Sequence, residues 1–422
     1  MRLRVEGGTP LNGHYQPGGN VNAAIALLAA SMLSDEPGTI ENWPDTITGE
    51  RMVTIAEKLG AATALNNSAL TIKTEQVLKR ELSQVETGGL LFLAPILFRR
   101  GFVRVELDFP LNRIRTHLEA LRDLGQDVVV NNGAVEIRAE TWSYRDILLV
   151  EASVTATALV LMLSVCYGQE TIIRNAASEP HVQELAYALE GMGAQIHNIG
   201  SNVLRVFGRA TDADHASLEG ITATVGPNHI EAASIAAMAA LSGGRVQING
   251  TRQEDMRMIR KIYQRLGINL DMDETLIFVP RHDDLVVSNR EEDVDASIES
   301  APWPGFPSDL VAMATVVATQ ARGTSLIHEK LYNNRLIFVD KLNAMGAQIV
   351  LCDPHRAIVV GPTPLHAIYM DTPDVRAGLG MLGAALIAQG ETVIDNAQAL
   401  RYSFDIVVLK LKNLGAHIII EG

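Results

Sequence analysis

Cysteine is nearly absent from the sequence. The 422 residues include two, Cys166 and Cys352, whose surroundings indicate a buried helix and the end of a strand. Two isolated cysteines supply neither a disulfide framework nor the ligand spacing of a metal site. We therefore predict no metal site, and we expect no cofactor.

Long apolar segments are also missing. The nearest candidate covers residues 159–165, far short of the ~18 apolar residues that a membrane-spanning helix needs. The first residues form no apolar core of the kind that signal peptides contain. These absences predict a cytoplasmic protein that does not bind membranes.

Basic residues are outnumbered by acidic ones. The chain has 35 Lys and Arg against 49 Asp and Glu, a formal net charge of -14 at pH 7. Nucleic acids and anionic membranes bind basic surfaces, so this balance argues against nucleic acid as a partner. An acidic protein can still bind a small anion through a few isolated Arg and Lys side chains.

The remaining composition is that of an ordinary globular protein. Hydrophobic residues make up 47% of the chain and charged residues 20%, both close to the usual values. At about 150 residues per domain, the length suggests two or three domains, and we expect two.

One pattern repeats along the whole chain. An apolar, Ala-rich helix is followed by a β-branched strand, and a second helix with a polar face then ends at a glycine before another strand. These closing glycines recur at intervals of roughly 65 to 80 residues, namely at Gly60, Gly125, Gly193, Gly267, Gly346 and Gly415. Each stands where a helix needs a left-handed residue to end. The spacing suits a βαβαββ unit, longer than a solenoid repeat.

The repeats indicate an α/β fold with two domains. Interior-type helices in every repeat favour closed arrangements over a solenoid, and three repeats per domain is the natural division. We predict one domain over residues 20–227 and another over residues 1–19 with 228–422, the chain crossing near residues 17–19 and 225–228. The first strand then belongs to the C-terminal half.

Several motifs resemble one enzyme family along nearly the whole chain. They are SVTATALVLM, IIRNAASEPHV, PNHIEAA, APWPGFPSDL, YNNRLIFVDKLNAMGA and DVRAGLGMLGAALIAQGETVIDN. They resemble the bacterial UDP-N-acetylglucosamine 1-carboxyvinyltransferases, and match the 5-enolpyruvylshikimate-3-phosphate synthases of the same fold less well. The resemblance implies a two-domain inverse α/β barrel built from six βαβαββ repeats. It also implies transfer of enolpyruvate from phosphoenolpyruvate to a hydroxyl of a nucleotide-sugar or nucleotide acceptor, with loss of phosphate.

The resemblance implies three catalytic residues. Asp309 matches the family aspartate that contacts the acceptor hydroxyl, although a carboxylate at a helix start can also be a simple cap. Arg335 and Arg376 match arginines that hold the anionic end of phosphoenolpyruvate, as guanidinium groups suit carboxylate and phosphate. Surface salt bridges are the alternative role for both.

A wider set of positions matches substrate-binding segments of the family. A Ser or Asn at a helix start is more often a cap than a ligand, so each match is open to that alternative. The predicted substrate-binding residues are Asn22, Ser153, Val154, Thr155, Glu179, Asn228 and Glu231. Asn228 stands where the family usually has an acid.

Several departures fall on family catalytic positions. Val21 replaces the lysine that meets the phosphate of phosphoenolpyruvate, and Thr87 replaces an arginine near the nucleotide. Residues 45–48 lack an expected lysine, and the loop with a reactive Cys is missing after Pro110. Among the residues that follow, Arg113 and Arg115 are candidates to substitute for the lost loop arginine, and a solvated helix face is the alternative for both.

These departures leave three functions open. The chain can transfer enolpyruvate to another nucleotide-type acceptor, act as a peptidoglycan-pathway enzyme with altered residues, or bind a ligand without catalysis. His117 and His229 are alternative proton carriers, since His titrates near neutral pH. His229, close to Glu231, is the better candidate, with a structural role as the alternative. We expect a monomer.

Overall fold

A computed structural model describes residues 1–83, 87–131, 133–208, 218–288, 297–371, 375–404 and 406–421. The chain divides into two compact units. One, called the C-terminal unit below, comprises Met1–Gly18 and Pro227–Gly422, and the other, the N-terminal unit, comprises Gly19–Gly226. Both boundaries lie one residue from the predicted positions.

The described ranges contain strands and helices along their whole length. The strands are β1 (Arg2–Glu6), β2 (Asn12–Tyr15), β3 (Gly38–Glu41), β4 (Ala62–Asn66), β5 (Ala69–Lys73), β6 (Glu81–Ser83), β7 (Phe102–Glu106), β8 (Asp127–Asn131), β9 (Ala134–Arg138), β10 (Trp142–Leu148), β11 (Gly168–Arg174), β12 (Gln195–His197), β13 (Val203–Phe207), β14 (Thr222–Thr224), β15 (Arg245–Asn249), β16 (Asp271–Met272), β17 (Leu276–Val279), β18 (Ser297–Glu299), β19 (Gly323–His328), β20 (Gln348–Asp353), β21 (Arg356–Gly361), β22 (Tyr369–Asp371), β23 (Glu391–Asp395) and β24 (His417–Glu421).

The α-helices are α1 (Val21–Ser31), α2 (Ile47–Leu59), α3 (Leu93–Arg100), α4 (Arg115–Asp123), α5 (Val154–Tyr167), α6 (Pro180–Gly191), α7 (His229–Leu241), α8 (Gln253–Arg265), α9 (Val311–Gln320), α10 (Val339–Ala344), α11 (Val375–Ile387) and α12 (Val407–Asn413). Short 3-10 helices cover Thr87–Phe92, Leu111–Ile114, Ser308–Leu310 and Ala397–Tyr402.

The described strands form six four-stranded sheets of one topology. In the sheet β10-β11-β13-β12, the first two strands are parallel and the other two pairings are antiparallel. The parallel pair is joined by a helix, as parallel neighbours require a crossover connection. The six sheets therefore match the predicted βαβαββ repeats.

Three strands pair far from their neighbours in sequence. β1 lies between β23 and β24, and β2 is parallel to β15, so both strands from the start of the chain belong to the C-terminal unit. The predicted chain crossings place the first strand in the same unit. β14 is parallel to β3 and supplies the first strand of the first repeat in the N-terminal unit, a pairing that the sequence did not predict.

The two kinds of helix differ in burial as predicted. In α1 every residue except Asn22 is buried, and in α7 every residue except Leu241. The helix α8 buries one stripe, which includes Met256 and Ile259, and exposes its other face. Each unit has its own hydrophobic core around the first kind of helix.

All six closing glycines have a left-handed backbone conformation, with φ between 87° and 113°. This confirms their predicted role, because glycine adopts a positive φ without the steric cost that a Cβ brings. At Gly60 an added Cβ would also lie 2.5 Å from the carbonyl oxygen of Gln76. In the parts of the chain that the structure describes, no helix has the length and apolarity needed to cross a membrane.

Candidate functional site

The three predicted catalytic residues meet in the C-terminal unit. The Oδ1 atom of Asp309 lies 2.9 Å from Nε of Arg376 and 3.3 Å from Nη1 of Arg335. The Arg335 side chain is 11% exposed, whereas those of Asp309 and Arg376 are 41% and 54% exposed. Two guanidinium cations thus share one carboxylate. Arg376 is the most exposed of the three side chains and Arg335 the least.

The repeat topology explains why these residues meet. Asp309 lies in the 3-10 helix that leads into α9, and Arg376 is the second residue of α11. Because equivalent repeats start their interior helices at equivalent places, the Asp309–Arg376 contact joins two helix N-termini. Unsatisfied N–H groups and the helix dipole make such termini favourable for anions.

Arg335 is held by a local turn. Asn334 has a φ of 59°, a left-handed conformation that Asn tolerates better than most residues. The Arg335 guanidinium lies 4.5 Å from the centre of the Tyr332 ring, a cation–π contact. The stacked ring and the Asp309 carboxylate together fix the orientation of this largely buried arginine.

His229 is buried beside this cluster, at the first residue of α7. Its ring packs edge-on against Trp303, with 5.5 Å between ring centres. Burial lowers the pKa of His229 to about 4; the nearby Asp309 charge raises this pKa and Arg252 lowers it further. The imidazole is therefore neutral near pH 7 and does not carry the proton that a general acid would donate.

Two predicted substrate-binding residues act as helix caps. The Asn228 side chain accepts hydrogen bonds from the backbone N–H of Ile230 at 3.1 Å and of Glu231 at 3.2 Å. Its amide also donates to the carbonyl of Ser403 at 3.4 Å. Ser153 caps α5 by accepting from the N–H of Ala156 at 3.4 Å. The capping alternative therefore describes both residues in this structure.

Glu231 is enclosed by groups of the C-terminal unit. It is completely buried, and its Oε1 accepts hydrogen bonds from the Tyr15 hydroxyl at 2.6 Å and the Gly18 N–H at 3.2 Å. Nζ of Lys410 lies 3.3 Å from the same oxygen. In this structure the carboxylate anchors the end of the first segment of the C-terminal unit.

Two segments of the N-terminal unit come together at the starts of α4 and α5. Nε2 of His117 lies 2.8 Å from Oγ1 of Thr155, and the Thr116 hydroxyl donates to Glu151 at 2.7 Å. Thr155 and its neighbour Val154 are half-buried. Burial lowers the pKa of His117 to about 4, so this histidine is also neutral near pH 7.

The two candidate replacement arginines differ. Arg115 pairs with Glu119 one helical turn away at 3.8 Å, and its side chain is 67% exposed. That geometry is typical of a solvated helix face. Arg113 is exposed and its side chain has no ion pair or hydrogen bond within the described ranges.

The remaining predicted positions lie at other helix starts of the N-terminal unit. Asn22 is exposed, and its backbone N–H donates to the Asn20 side chain that caps α1. Val21 is buried and 6% exposed. Glu179 is half-buried and directly precedes α6. The side chain of Thr87 lies outside the described residues.

Sequence reasoning missed Glu329. This fully buried residue follows β19, and its Oε2 accepts a hydrogen bond of 2.6 Å from the hydroxyl of Ser308, next to Asp309. An acid at the end of the apolar stretch SLIH is the signal that could have marked it. Among the residues that the structure describes, no three His, Cys, Asp or Glu side chains are grouped to hold a metal ion.

Comparison with known proteins matches the site-bearing fold to one family. The family model of EPSP synthase (3-phosphoshikimate 1-carboxyvinyltransferase) matches residues 5–411. The chain belongs to this family of enolpyruvyl transferases. It is 38% identical to the UDP-N-acetylglucosamine 1-carboxyvinyltransferase of Borrelia garinii subsp. bavariensis, over 98% of this chain and 97% of that protein. It is 34% identical to the enzyme of the same name from Porphyromonas gingivalis, over 98% of both chains.

Solved structures support the fold. The enolpyruvyl transferase NikO from Streptomyces tendae is similar with a TM-score of 0.86 at 20% identity, covering 99% of this chain and 98% of that one. An EPSP synthase from Acinetobacter baumannii is similar with a TM-score of 0.75 at 15% identity, covering 99% and 100%. The predicted family and the predicted α/β fold of the enolpyruvyl transferases are thus confirmed.

Proposed function

We propose that this protein transfers the enolpyruvyl group of phosphoenolpyruvate to a hydroxyl of a nucleotide or nucleotide-sugar acceptor. The observation that carries the proposal is the cluster of Asp309, Arg335 and Arg376, in which one carboxylate contacts two guanidinium groups. These are the charges that the reaction requires: a base for the acceptor hydroxyl and cations for the phosphate and carboxylate.

The chemistry assigns a role to each group. Asp309 accepts the proton of the acceptor hydroxyl as the hydroxyl oxygen bonds to C2 of phosphoenolpyruvate, the C2–C3 double bond breaks, and the methylene carbon takes up a proton from water. The resulting tetrahedral adduct then loses phosphate from C2 and releases a methyl proton to water, which restores the double bond. Arg335 and Arg376 stabilise the anionic groups through both steps, and the helix N-termini beside them add partial positive charge.

The N-terminal unit supports an altered acceptor preference. Relatives at 38% identity are named for UDP-N-acetylglucosamine. In this chain Thr87 stands where the resemblance implies an arginine near the nucleotide, and the buried Val21 stands where it implies a lysine at the phosphate of phosphoenolpyruvate. One charged hydrogen bond is worth roughly 1.5 to 3 kcal/mol, so losing these two cations disfavours the standard peptidoglycan reaction. A nucleotide-type acceptor that needs fewer N-terminal cations fits these residues better.

The replacement at Val21 favours a second candidate, a homologue that binds its ligand without turnover. Val21 removes a phosphate contact while Arg335 and Arg376 keep theirs. A binding protein on this scaffold would then retain affinity for phosphoenolpyruvate but not the rate of transfer.

An assay of turnover and binding with the purified protein distinguishes these functions. The protein is incubated with phosphoenolpyruvate and a panel of UDP-sugars, nucleotides, nucleosides and shikimate 3-phosphate, and phosphate release and the mass of the acceptor are followed. The proposal expects phosphate release together with an enolpyruvyl adduct for one acceptor, and loss of both in Asp309→Asn. Calorimetric binding of phosphoenolpyruvate without release across the panel supports the binding protein instead, and absence of binding contradicts both.

A further inference from the structure

Glu329 is a buried carboxylate that joins separate segments of the C-terminal unit. Its Oε1 accepts hydrogen bonds from the Ser300 hydroxyl at 2.8 Å, the Leu331 N–H at 2.8 Å and the Tyr332 N–H at 3.2 Å. Its Oε2 accepts from the Ser308 hydroxyl at 2.6 Å. Every one of these partners is a neutral donor.

The donors lie close to where two chain segments begin, one carrying Asp309 and the other carrying Arg335. Ser308 directly precedes Asp309, and Tyr332 lies three residues before Arg335. Ser300 and Ser308 also bracket the loop that contains Trp303, so the single carboxylate closes this loop at both ends. One side chain therefore holds both the residue before Asp309 and the residues that shortly precede Arg335.

The backbone of Glu329 is itself held firmly. Its N–H donates to the carbonyl of His355 at 2.8 Å, and Nδ1 of His355 lies 2.9 Å from the Glu329 carbonyl oxygen, to which it donates. His355 lies in the hairpin between β20 and β21. The carboxylate is thus attached to the sheet, and the two site segments are attached to the carboxylate.

We propose that Glu329 is a positioning residue for enolpyruvyl transfer: it sets the separation of Asp309 and Arg335. The inference rests on the proposed function. A buried charge surrounded by neutral donors is a costly way to stabilise a core, and well-packed apolar residues commonly do so at lower cost. We infer that this carboxylate orients two segments at once. Such orientation affects catalysis, because a misplacement of about 1 Å at a reacting group can lower a rate about 100-fold.

Ser308→Ala tests the link to Asp309 alone, since the bonds of Oε1 to Ser300, Leu331 and Tyr332 remain. We expect kcat to fall about 10- to 100-fold while the Kd for phosphoenolpyruvate changes less than about threefold. Ser308→Thr keeps the hydroxyl and should restore most of kcat. The matched control is Ser34→Ala in the N-terminal unit, where a buried serine hydroxyl donates to the carbonyl of Leu218 at 2.6 Å.

Glu329→Gln tests the links to Asp309 and to Arg335 together. The new amide NH₂ group would face hydrogen-bond donors, to which it cannot donate. The substitution should lower kcat and also weaken phosphoenolpyruvate binding about tenfold or more. A kcat for Ser308→Ala equal to that of Ser34→Ala, at a similar loss of melting temperature, would overturn the proposal. So would unchanged phosphoenolpyruvate binding in Glu329→Gln.

A fluorescence readout keeps the test independent of turnover. The chain has three tryptophans, and replacing Trp43 and Trp142 by Phe leaves Trp303 as the only reporter, inside the loop that Glu329 closes. Acrylamide quenching of Trp303 should rise in Ser308→Ala and Glu329→Gln but not in Ser34→Ala. If the wild type turns over no acceptor, the proposed function fails, while equal quenching in all variants shows separately that Glu329 does not position the loop.

Discussion

The two units share one topology and differ in the residues that begin their interior helices. In the C-terminal unit these positions carry His229, Asp309 and Arg376, two of them joined by an ion pair. The corresponding starts in the N-terminal unit carry Val21 and Val154, beside capping residues. The fold therefore constrains the helix bodies and their ends closely but leaves the residues at or next to the helix start open to either chemistry.

Capping explains this freedom. The Asn20 side chain accepts hydrogen bonds from the N–H groups of Asn22 and Ala23 at 2.9 and 3.4 Å, so α1 begins stably whatever follows the cap. Asn228 does the same for α7.

The largest expected effect is on turnover in the C-terminal unit. Asp309→Asn removes the carboxylate proposed to accept the acceptor proton, so kcat should fall about 100- to 10,000-fold in the phosphate-release assay. Binding of phosphoenolpyruvate should be retained or strengthened, since Arg335 and Arg376 lose their shared counter-charge. Asp340→Asn, at an exposed position of the same unit, is the control. Equal turnover in the two variants would refute the role of Asp309.

The next prediction concerns the pH dependence of stability, to which one buried histidine in each unit should contribute. His117 and His229 have folded-state pKa values of about 4, below the ordinary value of 6.5. Their contribution to stability is therefore complete above pH 6.5 and is lost as the pH falls towards 4, by up to ~3 kcal/mol each. His117→Gln or His229→Gln should flatten the dependence of the unfolding free energy on pH in that window.

Urea unfolding at several pH values measures this dependence, and the exposed Leu65→Gln, which changes no titrating group, should leave it unchanged. A steep dependence that persists in both buried-histidine variants would show that neither histidine is held neutral by the fold.

Arginine substitutions give a smaller effect confined to one unit. Arg376→Ala should weaken phosphoenolpyruvate binding about 10- to 100-fold in calorimetry, the loss of one charge-assisted contact of roughly 1.5 to 3 kcal/mol. Arg174→Ala provides the control, since that arginine also pairs with a carboxylate, Asp146, at 2.7 Å. Comparable losses in both variants would indicate a general charge effect.

The smallest expected effect is a gain in the N-terminal unit. Val21→Lys returns a cation to the position where the family has one, and should tighten phosphoenolpyruvate binding by up to about tenfold, or ~1.4 kcal/mol. Val21→Met supplies the length without the charge and should not. If both variants weaken binding alike, the buried site of Val21 no longer accommodates the longer side chain, and its loss of charge is not the cause of any deficit.

The apolar pattern and the glycine positions made most of the fold predictable from the sequence. The closing glycines and the buried first helices follow from backbone sterics and burial, which act locally. The assignment of the first strand to the C-terminal unit follows from the predicted chain crossings. The pairing of β14 with β3 was not predicted, because Thr222–Thr224 is short and lies far along the chain from its partner. Its register depends on a long-range contact that local pattern does not encode.

The site was predictable only in part. Asp309, Arg335 and Arg376 were identified by family resemblance, and their contact follows from equivalent repeats. The role of Glu231 as an anchor and of Glu329 as a junction depends on which donors surround a buried carboxylate. Those donors, such as the Gly18 N–H and the Ser308 hydroxyl, come from distant segments and cannot be read from the neighbouring residues.

The most direct test of the central claim compares two double variants in phosphoenolpyruvate calorimetry. If the C-terminal unit provides the anion-binding charges, Arg335→Ala with Arg376→Ala should weaken binding by about 100-fold or more. Arg113→Ala with Arg115→Ala, which removes the same charge from the N-terminal unit, should change the Kd less than about threefold. An equal or greater loss in the N-terminal pair would contradict the account.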